Sequence, residues 1–210
     1  EERIYEGETP GVSYGDIAER YYTVGQYMKE VKDVSKAMAA AGDSYICDEY
    51  LNAMGSPEAE SVYVLHDLNN DGIEEFFIGL KFNYDIPYYV IYDVYTWKDG
   101  RAYQLMRGIG YRNGSCKICE NGVIEDNYSG SAWDGQTLYH ILPEGGIELE
   151  TIDSVSSRRD GTVQSYYHWN ELIDENSLQT ILEQYQPESV TYVDCNRETI
   201  EQLRLSGIRK

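Results

Sequence analysis

Basic residues are scarce in this chain: 17 Lys and Arg stand against 37 Asp and Glu, a formal net charge of −20 over 210 residues. A surface of that sign repels the phosphates of nucleic acids and gains nothing from anionic lipid headgroups. No nucleic-acid partner is therefore expected. The acids are dispersed in short groups and read as a solvated surface, not as an interaction tail. Long apolar runs are missing as well, and no segment approaches the ~18 residues of a membrane span. Histidine is confined to His66, His140 and His168, none with a nucleophile or a second histidine at ligand spacing. Neither Gly-x-Ser-x-Gly nor His-Glu-x-x-His occurs, and a phosphate-cradling Gly-Lys-Ser/Thr is absent. The first residues, Glu1-Glu2-Arg3, have no signal-peptide character. A mature exported protein whose N-terminal lipid anchor had been removed would look like this, and so would a cytosolic one.

Cysteine is used sparingly. Cys47, Cys116, Cys119 and Cys195 allow several disulfide pairings, and structural disulfides and buried free thiols both stay open as readings. Cys116-Lys117-Ile118-Cys119 has redox spacing but lies in a strand-like stretch, where residues three apart point to opposite faces. A second Cys-x-x-Cys, needed for structural zinc, does not occur.

The stretch Asp67-Leu68-Asn69-Asn70-Asp71-Gly72-Ile73-Glu74-Glu75 holds the most information. Oxygen donors fall at positions one, three, five and nine, a backbone carbonyl is available at seven, and glycine stands at six. This is how a hard cation such as Ca²⁺ is wrapped: Asp67, Asn69, Asp71, Ile73 (carbonyl) and Glu75 are the expected ligands. Gly72 sits where the chain must turn with positive φ. The glutamate that an EF-hand needs at position twelve is replaced by Ile78. The flanks, Ser61–His66 and Phe76–Leu80, are rich in β-branched and aromatic residues and read as strands. A strand–loop–strand of this kind resembles the calcium loops of FG-GAP (integrin-type) repeats, with glutamate in place of the closing aspartate. The dockerin loop is a more distant likeness, because it runs into a helix. The Asp-Gly-x-x-Glu exit into an apolar strand, with the stretches Ile109-Gly110-Tyr111-Arg112 and Glu120-Asn121-Gly122-Val123-Ile124, also resembles a recurrent element of secreted and lipid-anchored proteins of anaerobic Gram-positive bacteria. That likeness implies an extracellular or cell-surface location and no particular activity.

Around the loop the pattern predicts an α+β fold in one domain, 1–210. Residues 13–55 read as helical. Ile17, Tyr21, Val24, Met28, Val31, Val34 and Met38 form one apolar stripe that ends at Gly42, and Asp43 starts a shorter helix with Ile46, Tyr50, Leu51 and Met54 on its buried side. Residues 61–169 read as an antiparallel β-meander of about nine strands, punctuated by Asp99-Gly100, Asn121-Gly122, 143–146 and Asp160-Gly161. Residues 174–206 return to helix, capped by Asp174 and Asn196, and are expected to pack on the sheet.

Tyrosine is abundant, at 21 positions. Tyr88, Tyr89, Tyr92, Tyr95 and Trp97 occupy both faces of one expected strand. Such residues suit either half-buried strand positions or contact with a protein or carbohydrate ligand. The function expected from these features is an exported, non-catalytic binding module with a structural calcium site and an unknown protein or carbohydrate ligand. The alternative is a carbohydrate-active enzyme using two of Asp93, Asp126, Asp134 and Glu148 as a carboxylate pair.

Overall fold

The computed structural model describes residues 7–8, 13–41, 46–110, 116–129, 133–142, 147–156 and 163–206. The first half of the chain runs β1 (Gly7–Glu8), α1 (Tyr14–Val31), α2 (Val34–Ala41), α3 (Asp48–Met54), β2 (Ala59–His66), β3 (Glu75–Phe82), β4 (Tyr88–Lys98) and β5 (Arg101–Arg107). It continues with β6 (Cys116–Cys119), β7 (Val123–Ser129), β8 (Trp133–Ile141), β9 (Ile147–Ser156), β10 (Val163–His168), β11 (Glu171–Ile173), α4 (Glu175–Leu182), β12 (Val193–Asp194) and α5 (Arg197–Ser206). The fold is α+β and its sheets are antiparallel, as the sequence predicts. The continuous meander, however, is two six-stranded sheets, β1-β5-β4-β3-β2-β12 and β11-β10-β9-β8-β7-β6. The chain divides into two compact units: residues 1–67, 71–109 and 190–210, and residues 68–70 and 110–189. Among the described residues no helix is long and apolar enough to cross a membrane.

In the first unit, α1 begins with a capping box: Ser13 Oγ accepts from the Asp16 N–H and Asp16 Oδ2 accepts from the Ser13 N–H. The helix ends earlier than its apolar stripe. Lys32 adopts φ +52° and its N–H closes on the Met28 carbonyl, after which Asp33 caps a new helix by accepting from the Lys36 N–H. One expected helix is therefore two, and Val31 is exposed. Gly42 and Asp43, read as stop and start signals, lie outside the described residues. The cap of α3 is Cys47, whose sulfur accepts from the Tyr50 N–H.

Aromatic rings run through the core of this unit among aliphatic side chains. Tyr14 stacks on Phe76 at 5.1 Å, and Tyr21 meets Tyr50 edge to face at 4.9 Å, an arrangement ring quadrupoles favour. Two β-bulges decide which side chains enter. Ile78 pairs with Asp93 and Gly79 with Ile91, so Tyr92 is an extra residue; Leu105 is extra opposite the Val94–Tyr95 step. The first bulge resets the alternation, so that Val90 and Tyr92, then Asp93 and Tyr95, all join the helix side. Simple alternation could not reveal this. Gly79 is required there because a Cβ would fall 2.0 Å from the Val90 carbonyl oxygen.

The second unit is a meander with α4 on one face. Cys119, Val123, Leu138, Ile152 and Leu178 form its buried cluster, with Tyr166, Ile173, Ile181, Leu182 and Tyr185 packed around them. The Asn121-Gly122 turn has the positive φ values its sequence predicts, 64° and 78°. Trp169-Asn170 makes the same kind of turn at 52° and 65° without glycine, which is why β11 escapes a reading built on turn residues.

Replacing Gly79 by Ala must push β3 from β4. It is expected to lower stability by about 1–3 kcal/mol, as overpacking does, read as a lower urea midpoint. An unchanged midpoint would contradict the close approach.

Candidate functional site

The acidic loop between β2 and β3 is folded on its own side chains. Asp67 Oδ1 accepts from the Asp71 N–H at 3.1 Å and Oδ2 from the Gly72 N–H at 2.9 Å, while Asp71 Oδ1 accepts from the Ile73 N–H at 2.8 Å. Asn70 at φ 57° and Gly72 at φ 86° supply the left-handed steps. The loop exit is pinned to α1, where the Tyr14 hydroxyl donates to the Glu74 carbonyl at 2.9 Å. Burial pushes the Tyr14 phenol far up, and the carboxylates of Glu75, Glu74 and Asp71 push it further, so this phenol lies within the field of all three.

The five expected ligands are not all placed alike. Asp67 and Asp71 are together in the loop. Glu75 lies in β3, fully buried, and accepts from the Thr96 hydroxyl at 3.0 Å. Asn69 belongs to the second unit, where its amide nitrogen donates to the Leu142 carbonyl at 3.1 Å. Among the described residues no cluster of three or more His, Cys, Asp and Glu is placed to hold a metal.

A second polar constellation arises from sheet register. Across β8, β9 and β10 the pairs Leu138↔Glu150 and Ile152↔His168 alternate with His140↔Glu148. Glu150 thus lies diagonal to both histidines on the face that α4 covers. His140 Nε2 is 3.0 Å from Glu150 Oε2, and His168 Nε2 is 2.6 Å from Oε1. The Tyr185 hydroxyl, just past α4, donates to Oε2 at 2.7 Å. An ionised carboxylate can only accept, so both rings present an Nε2–H to it. Burial opposes ionisation of Glu150, but the hydrogen bonds from Tyr185, His168 and His140 outweigh it and hold its pKa below the ordinary value. Glu125, also paired with Leu138, repeats the theme. Its Oε1 accepts from Asn127 Nδ2 at 2.6 Å, from Gln136 Nε2 at 3.2 Å and from Lys117 Nζ at 3.4 Å. Gln136 Oε1 is buried without a hydrogen-bond partner among the described residues. The histidines are too far apart in sequence for any spacing rule to connect them.

Of the acids expected as a catalytic pair, one lies in the first unit and three in the second. Asp93 is buried in the first unit, where Tyr21 donates to Oδ2 and the Gly108 N–H to Oδ1. Asp126, in the second, accepts from the Gly110 N–H. Asp134 stands in register with Ser129 and Ser154, and Glu148 with His140. Burial pushes both Asp93 and Asp126 up to about 6. The four cysteines are free thiols and buried, and burial raises the pKa of each. His66 stands at the end of β2 in register with Glu75.

Comparison of the chain with protein-family models, with curated proteins and with solved structures finds no match.

These environments have opposite pH signatures. Asp93 binds its proton more tightly folded than unfolded, so its contribution to stability falls as pH rises from about 4 to about 6. Asp93→Asn is expected to flatten the decline in melting temperature between pH 4 and pH 7, and an unaltered slope would refute it. Glu150 acts the other way: its contribution is present at neutral pH and is lost as pH falls below the ordinary carboxylate range. Glu150→Ala strands two imidazoles and a phenol and should cost on the order of 2–3 kcal/mol at pH 7, with Tyr185→Phe costing less, both by urea unfolding.

Proposed function

We propose that the chain is an exported or cell-surface binding module, with no reaction of its own, in which one Ca²⁺ ion takes a structural place in the loop between β2 and β3. The folded state of that loop carries the reading. The Asp67 carboxylate already holds the N–H groups of Asp71 and Gly72, and glycine supplies the positive φ at the sixth position. Asp67, Asp71 and the Ile73 carbonyl would be the inner ligands, while Glu75 remains with Thr96. An ion there would offset the mutual repulsion of the loop carboxylates and stiffen the connection between two central strands of the first sheet. Without a twelfth-position carboxylate the affinity should be about 10⁻⁴–10⁻³ M, so the site would be filled outside a cell and empty in a cytosol. The acidic surface and the likeness of the loop to those of secreted proteins support export. The ligand class in this reading is a protein or a carbohydrate.

Calcium titration of chelator-treated protein tests it. At ten times the dissociation constant, binding adds about 1.4 kcal/mol, a rise of about 3–6 °C in melting temperature for a chain of this size. Asp71→Ala should remove the rise and Glu75→Gln should keep it. An unaltered chain that melts at the same temperature with and without calcium would overturn the proposal.

A further inference from the structure

The turn between β3 and β4 carries an aromatic cluster that neither the calcium loop nor the core explains. Phe82 and Tyr88 face each other across the strands, ring centroids 4.8 Å apart and planes within 15°. Tyr84 joins them from the turn, 5.9 Å from Tyr88 at 14° and 6.3 Å from Phe82 at 3°. The three rings are thus stacked in nearly parallel planes, each covering part of its neighbour. Phe82 anchors the group in the helix-side core, yet Tyr84 and Tyr88 keep 51% and 48% of their surface open to solvent. Burying these two rings against Phe82 from both sides would have been the stable arrangement for core residues; their exposure leaves aromatic surface unused. Asn83 and Asp85, both exposed, flank the rings with an amide and a carboxylate.

We infer that this turn is a binding platform for an uncharged polysaccharide. The half of Tyr84 and Tyr88 that the stack leaves open offers apolar contact to the C–H face of a pyranose ring, and phenol, amide and carboxylate groups of the turn can hydrogen-bond its hydroxyls. Charge narrows the choice of occupant. With Asp85 exposed next to Tyr84 in the turn and a chain charge of −20, polyanionic glycans, nucleic acids and anionic bilayers are repelled, whereas a neutral glycan is not. The inference rests on the reading of the chain as a binding module but not on its calcium ion.

Retention on insoluble neutral polysaccharides (cellulose, chitin, xylan and mannan) tests it, in parallel with zwitterionic vesicles and in both calcium and chelator. The unaltered chain should be retained on at least one polysaccharide. Tyr84→Ala with Tyr88→Ala should weaken retention at least tenfold, and Tyr84→Phe with Tyr88→Phe should largely preserve it. Far-ultraviolet dichroism of each variant controls for folding. Ile86, the most exposed apolar residue of the turn at 83%, serves as the contrast: Ile86→Ser should leave retention within about twofold. No retention on any of the polysaccharides, retention that survives the double alanine variant, or vesicle capture that depends on Ile86 would each overturn the inference. Absence of retention alongside a calcium-dependent melting shift would remove the platform alone. Retention without that shift would remove the ion alone.

Discussion

A carboxylate taken out of water has to be met by donors or surrender its charge, and both units of this chain are organised around that requirement. In the first, Asp93 is brought inward by a bulge and received by the Tyr21 hydroxyl and the Gly108 N–H. Tyr21 in turn lies 3.0 Å from the Tyr95 hydroxyl, to which Gln104 donates. The Tyr50 hydroxyl, also buried, meets Ser61 Oγ at 2.6 Å. In the second unit Glu150 and Glu125 collect donors from neighbouring strands and, for Glu150, from beyond α4. The use of tyrosine at positions 21, 50, 95 and 185 follows from this. A phenol fills volume as phenylalanine does and brings an O–H to groups that would otherwise be orphaned.

That requirement also explains which parts of the fold could be read from residues alone. The helices at either end were legible because a 3.6-residue period and capping residues leave local marks: Asp174 and Asn196 cap where expected, and the helical stretch begins at Ser13 as read. The hairpins at Asp99-Gly100 and Asn121-Gly122 were legible from their turn chemistry. The division of one meander into two sheets was not, since a pairing partner is a non-local choice that no strand announces. The break between α1 and α2 was hidden because a lysine, not a glycine, takes the left-handed cap. The bulge at Tyr92 was hidden too, and with it the placement of Tyr92 and Tyr95 on one face, which simple alternation puts on opposite faces.

Legibility of the candidate site divides along the same line. Asp67, Asp71 and Gly72 are local, and their roles in the loop follow from spacing. Glu75 satisfies the same spacing, but its position is also the first of β3, and strand register commits its carboxylate to Thr96. Asn69 bonds the Leu142 carbonyl through its amide nitrogen, a long-range contact that spacing does not announce. The pairing of His140 and His168 through Glu150 depends on the register of three strands at once, so the sequence offered no hint of it; the nearest available signal was that both histidines fall in strands on either side of the one carrying Glu150.

The placement of the thiols has a practical corollary. Cys47 and Cys195 belong to the first unit and Cys116 and Cys119 to the second, and all four are shut away from solvent with their pKa values raised by burial. A thiolate is the species that alkylating reagents attack, so each sulfur reacts only when its surroundings open. The chain therefore carries built-in clocks, two in each half, whose labelling rates time the breathing of one half separately from the other.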